Sequence, residues 1–130
     1  MPGDNAATVA VGAAVQFPQN GPTTGVATRT GTTQFVLNAI GTFLIFFQVS
    51  VTEAGQLMIR QDGTELAYSV VGRATGTSQI VGVAIPVVTV ALGSIIEIIN
   101  PSGNAAALTI TPIAGGTHAV SANITIMYLG

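Results

Sequence analysis

Apolar and polar positions along this chain fall into short runs cut by Gly, Pro, Asn and Asp, and no apolar period of helical spacing lasts longer than a turn or two. The runs predict strands over about 8–17, 26–29, 34–38, 42–52, 56–61, 64–71, 79–91, 95–100, 105–111 and 119–129. Asp62-Gly63, between MIRQ and TELAY, is the strongest punctuation, because both central residues of a type I′ hairpin turn need positive φ. Glu53-Ala54-Gly55, Pro101-Ser102-Gly103-Asn104 and Gly115-Gly116 mark further turns. Many short strands at this spacing predict an all-β fold of about ten strands, a β-sandwich or a barrel. No repeat, linker or second domain interrupts the pattern, so residues 1–130 read as one domain, with 1–7 as a flexible lead.

One stretch tests that reading. Residues 80–99, IVGVAIPVVTVALGSIIEII, hold twenty residues and a single formal charge, Glu97, which is the length of a membrane span. Pro86 near the middle and Gly82 and Gly93 oppose a helix, and the remaining Val, Ile and Thr favour a pleated strand. Flanking Lys or Arg to set an orientation is missing, the nearest being Arg73. Two strands separated by Leu92-Gly93-Ser94 fit better, with Pro86 at a bulge or a sheet edge.

A sandwich strand exposed on one side alternates apolar with polar residues. Here both faces are apolar. Phe43, Ile45, Phe47, Val49 and Val51 form one face of 42–51, yet Leu44 and Phe46 occupy the other before Gln48 and Ser50 restore polarity. Along the next long run Val81, Val83, Ile85 and Val87 oppose Ile80, Ala84, Val88 and Val90, and at the end Ile124, Ile126 and Tyr128 alternate with Thr125, Met127 and Leu129. Large exposed apolar patches are rare on monomers. Covering a further ~1,000 Å² per subunit, at about 25 cal/mol per Å², is a gross gain on the order of 25 kcal/mol before association costs. The pattern therefore predicts a tight homo-oligomer with core-like interfaces.

Composition sharpens this. Charged residues make up 6% of the chain, against about 25% in ordinary domains. Lys is absent, and three arginines, Arg29, Arg60 and Arg73, give no basic patch, which argues against nucleic acid and against a basic lipid-binding face. There is no cysteine, hence no disulfide framework and no thiol chemistry. The opening MPGDNAATVAVGAAVQFP lacks a basic n-region and does not read as a signal peptide.

Candidate chemistry is sparse. His118 follows Gly115-Gly116-Thr117 and reads as a solvated loop histidine, without the nucleophile and orienting partner a general base needs. The acids Asp4, Glu53, Asp62, Glu65 and Glu97 show no metal-ligand spacing; Asp62 is turn chemistry, and Glu53 and Glu65 read as solvated. Glu97 has two readings: it points outward or pairs with Arg60 or Arg73, or three copies meet near an axis and need a cation or elevated pKa values. Asn123-Ile124-Thr125 fits a glycosylation acceptor but falls inside a strand. The 72–76 loop either connects strands or presents Arg73 to a ligand. No catalytic, cofactor or metal constellation emerges, so an enzyme ranks last among the function classes.

GTFLIFFQVSV, QLMIRQDGTELAYS, SQIVGVAIPVVTVALGSIIEIINPSGN and ANITIMYLG resemble, in order and turn placement, the ten-stranded jelly roll of tumour necrosis factor and the complement C-one-q globular head. More narrowly they resemble the C-terminal domains of BclA-type collagen-like glycoproteins of the bacterial exosporium. Gly41 and Phe43 opening a central strand, the Asp62-Gly63 hairpin, Ala91-Leu92-Gly93 before Ile95, and the closing Leu129-Gly130 carry the likeness. The resemblance implies a homotrimer in which one sheet of each subunit lines a threefold axis. Phe43, Ile45, Phe47, Val83, Ile85, Val87, Ile126 and Tyr128 are the expected interface. It also implies a knob that caps a collagen-like stalk on an extracellular or spore surface, with other surface-layer proteins or glycans as further partners. There is no Gly-X-Y repeat in this chain. Ser94 stands where many complement-type members carry an acidic residue, which weakens the case for a family-style calcium site. A carbohydrate- or receptor-binding tip of a surface, phage or viral fibre is the alternative expectation, although there is no Trp and only Tyr68 and Tyr128, both predicted in strands.

Overall fold

The computed structural model describes residues 8–75, 78–111, 115–118 and 120–130; the lead expected over 1–7 lies outside the described residues. Eleven strands are present among them: β1 (Thr8–Val9), β2 (Ala27–Thr30), β3 (Gln34–Leu37), β4 (Gly41–Val51), β5 (Gly55–Gln61), β6 (Thr64–Glu65), β7 (Val71–Arg73), β8 (Ser78–Thr89), β9 (Ser94–Ile99), β10 (Leu108–Thr109) and β11 (Ala122–Tyr128). Every strand pairing is antiparallel. A three-stranded sheet in the order β11-β4-β8 faces a larger sheet in the order β2-β3-β9-β5-β6, with β7 also on β5, and β1 pairs β10 in a short ribbon. The stretch that mimics a membrane span is β8 and β9, one in each sheet, and among the described residues no helix is long and apolar enough to cross a membrane.

The core lies between the sheets. Phe43, Ile45, Phe47 and Val49 of β4 are buried, as are Leu37, Leu57, Ile59, Ile96 and Ile98 from the opposite layer. Each such side chain contributes roughly 1.5–3 kcal/mol relative to exposure. β4 is the middle strand, hydrogen-bonded along both edges to β11 and β8, and its inner face, Phe43 to Val51, packs on the second sheet.

Turn chemistry fixes the registers. Asp62 (φ 49°) and Gly63 (φ 83°) make the two-residue turn that pairs Arg60 with Glu65 and Gln61 with Thr64. Asp62 does more than turn the chain: its carboxylate accepts the Ile95 amide at 2.8 Å and the Ser94 hydroxyl at 2.7 Å, tying the hairpin tip to β9. At Gly41 (φ 138°) a Cβ would sit 2.7 Å from the Gly130 carbonyl oxygen, so only glycine lets the last residue close on β4.

Three expected strands are interrupted. The 64–71 run breaks into β6, a 3-10 turn at Ala67–Ser69, and β7, which places Tyr68 in the turn and not in a strand. Buried Ser69 is the cause: its hydroxyl accepts the Ile59 amide at 2.8 Å and donates to the Leu66 carbonyl at 2.6 Å, replacing a backbone rung with a side chain. In 8–17 only β1 is a strand, because Gly12 (φ 79°) turns the chain so that Val15 bonds Ile98 beside β9. In 105–111 only β10 and an Ile110–Val51 bridge are paired.

Candidate interaction face

The face expected to meet a neighbour is, in large part, the subunit's own core. Phe43, Ile45, Phe47 and Val87 are wholly buried and Ile85 nearly so; Ile126 is half-buried against the same cluster. Tyr128 tilts over Phe43 with ring centroids 4.8 Å apart and donates its hydroxyl to the Ile40 carbonyl at 2.6 Å, capping that end of the core. Val83 alone of the eight stands well out of the fold, at 68% exposure.

A bulge explains why Val83 parts from Ile85. Ile45 pairs with Ile85 and Phe47 with Gly82, so two steps on β4 span three on β8. Ala84 absorbs the extra residue at φ 52°, and side-chain parity reverses across it. Ile80 and Gly82 point inward before the bulge; Ile85, Val87 and Thr89 point inward after it. Gly82 is obligatory here, since a Cβ would lie 2.4 Å from Phe47 Cε1. Pro86, two residues on, sits on the edge strand opposite Leu44.

The outward face of the three-stranded sheet can be read row by row from the register. Met127, Leu44 and Pro86 form one row; Thr125, Phe46 and the Val83-Ala84 bulge the next; Asn123, Gln48 and Val81 the third. Leu129, Thr42 and Val88 extend it at the β4 N-terminal end. Val81, Val83, Val88, Met127 and Leu129 are exposed, and Leu44 and Phe46 are half-buried. Not one residue of β4, β8 or β11 carries a formal charge. At the Gly41 end this face adjoins Ile40 and the β8–β9 turn, where Val90 (88%) and Leu92 are exposed.

The charged groups lie elsewhere. Arg60 Nε donates to Glu97 Oε1 at 2.9 Å across β5 and β9, with both side chains mostly buried, so Glu97 pairs on the outside of the larger sheet. Gln34, Arg60, Asp62, Ile95 and Glu97 line a shallow recess of about 390 Å³ there, but its charged groups are already bonded within the chain. Glu53, expected to be solvated, accepts the Thr109 hydroxyl at 2.6 Å and amide at 2.7 Å, and these bonds hold its carboxyl below the usual range. Arg73 donates to the Glu53 carbonyl at 3.1 Å and to the Thr75 carbonyl, so its terminal nitrogens tie its own loop to the β4–β5 turn. Burial raises the Tyr68 phenol, whose hydroxyl donates to the Pro86 carbonyl at 2.6 Å. His118 is exposed in a loop, and Asn123 is exposed within β11. Among the described residues no group of three His, Cys, Asp or Glu could hold a metal ion.

No protein-family model and no curated protein matches the chain. The resemblance to tumour necrosis factor and exosporium knobs therefore rests on the quoted residue pattern alone.

Proposed function

We propose that this domain is a structural self-association module: a TNF-like jelly roll that forms a homotrimer and serves as the surface knob of a collagen-like filament, as on a bacterial spore exosporium. The observation that carries the reading is the uncharged, apolar outer face of the β11-β4-β8 sheet. Water penalises that face, and no buried ion pair or charged ligand is suited to it. An identical copy presents the same chemistry and adds no unpaired charge, which makes self-association the simplest cover.

Two further features support the reading. β4 lies between β11 and β8, and β9 between β3 and β5, so sheet neighbours are distant in sequence, as a jelly roll requires. Glu53, Arg60, Asp62, Arg73 and Glu97 are each bonded within the chain, away from this face. In the proposed trimer the contact is made by Leu44, Phe46, Val83, Val88 and Met127, on the side of the sheet opposite Phe43, Ile45 and Phe47.

The test is to place a Gly-X-Y tract ahead of the domain and follow triple-helix refolding by circular dichroism. A trimeric knob holds three chain ends together, so refolding becomes independent of chain concentration and faster than for the tract alone. Unchanged, concentration-dependent refolding counts against the knob function.

A further inference from the structure

We infer that Gln48 and Asn123 form the polar contact that sets how copies of this chain meet, their side-chain amides bonding to the same amides of a neighbouring copy. This rests on the self-association proposed above and adds to it the residues that fix register.

Gln48 and Asn123 stand opposite each other on β4 and β11 and belong to the outward parity of the sheet, beside the Phe46–Thr125 row and in line with Val81. Gln48 is half-buried and Asn123 exposed, and neither side-chain amide is hydrogen-bonded within the described residues. With Gln79 of β8 one row beyond, they are the amides that border the apolar rows of this uncharged face. Closing that face against an apolar partner would strand their donors and acceptors away from water. A carboxylate or guanidinium would satisfy only half of each amide and would itself lack a counter-charge on these strands. A primary amide carries donors and an acceptor together, so its full complement is another amide, and an identical copy supplies one. One polar position within an apolar interface also penalises every alignment in which it faces a methyl group, which is how a buried Asn fixes register in coiled coils.

Gln48→Glu tests this, because it keeps the shape and changes only charge. The three strands contribute no other titratable group to the face, so any pH response of association beyond that of the wild type belongs to residue 48. Masses are measured by light scattering at pH 7 and pH 4 for wild type, Gln48→Glu and Val83→Arg. The inference predicts three chains for the wild type at both pH values. For Gln48→Glu it predicts at least about a hundredfold weaker association at pH 7, from like charges meeting in a closed interface, and recovery at pH 4 when the acid is neutral. That recovery also shows that the variant folds. If Val83→Arg dissociates while Gln48→Glu keeps wild-type association at pH 7, the face is the interface and the amide contact is wrong. If the wild type is a single chain, the self-association reading fails and this inference with it.

Discussion

Arg60 and Glu97 meet across β5 and β9 on the outside of the larger sheet, whereas the outside of the smaller sheet offers Phe46 between Thr125 and the Val83-Ala84 bulge. Inner faces of both sheets contribute alike to one core. Their outer faces do not match: one carries an ion pair and the Asp62 carboxylate bonded to β9, the other no charge at all. Exposed strands normally carry charges as a guard against edge and face association. The difference points the proposed self-association to the smaller sheet, whose outer face has no charge to finish it as a surface.

The strongest way to break this comparison is a charge on each sheet. Val83→Arg is expected to weaken self-association by several orders of magnitude while leaving the strand signal in circular dichroism intact, because Val83 is exposed in the single chain. The matching change on the other sheet, Glu97→Gln, should leave the mass unaltered; an equal loss of association from both variants would erase the distinction.

Next in size is Gly82→Ala. The added Cβ would meet the Phe47 ring at 2.4 and 2.6 Å beside the bulge. A loss of about 1–3 kcal/mol in urea unfolding is expected from such overpacking, and an unchanged midpoint would mean that the bulge relaxes freely. Asp62→Ala removes two acceptors from the β5–β6 turn to β9, and about 1–2 kcal/mol should disappear with them. Its association should be untouched, since the site belongs to the charged sheet.

The smallest effect concerns acid. The folded carboxyl of Glu53 titrates below its unfolded value because Thr109 donates to it through hydroxyl and amide. A depressed acid pKa contributes stability above the unfolded value, and that contribution fades as pH falls through the folded one. Glu53→Gln should therefore lower stability slightly at neutral pH and flatten the acid limb, the two curves converging as pH falls through the folded value. Parallel acid limbs for variant and wild type would remove Glu53 from the account.

These contrasts were partly legible in the residue pattern. Alternation and turn residues located most strands within two or three positions, because Asp62-Gly63 and the 92–94 turn have few conformational alternatives. The surplus of apolar side chains was also visible along 42–51 and 80–90. Which face was surplus was not, since in β4 both parities are apolar and the choice depends on where the second sheet lies. In β8 the pattern misled: Val83 and Ile85 share a parity, and only the Ala84 bulge separates them. Ala84 is an ordinary residue at positive φ, a conformation its identity does not announce. Ser69 hid in the same way, its hydroxyl replacing a strand bond that no local spacing encodes. The roles of Glu53 and of Asp62 toward β9 depend on partners 56 and 33 residues away, beyond the reach of any local motif.

Sedimentation equilibrium of the unmodified chain, run across a wide concentration range, tests the central claim most directly. A mass of three chains, stable on dilution and indifferent to salt because the contact is uncharged, is the predicted result. A single-chain mass at every concentration, with Val81, Val83, Val88 and Met127 bare to water, contradicts it.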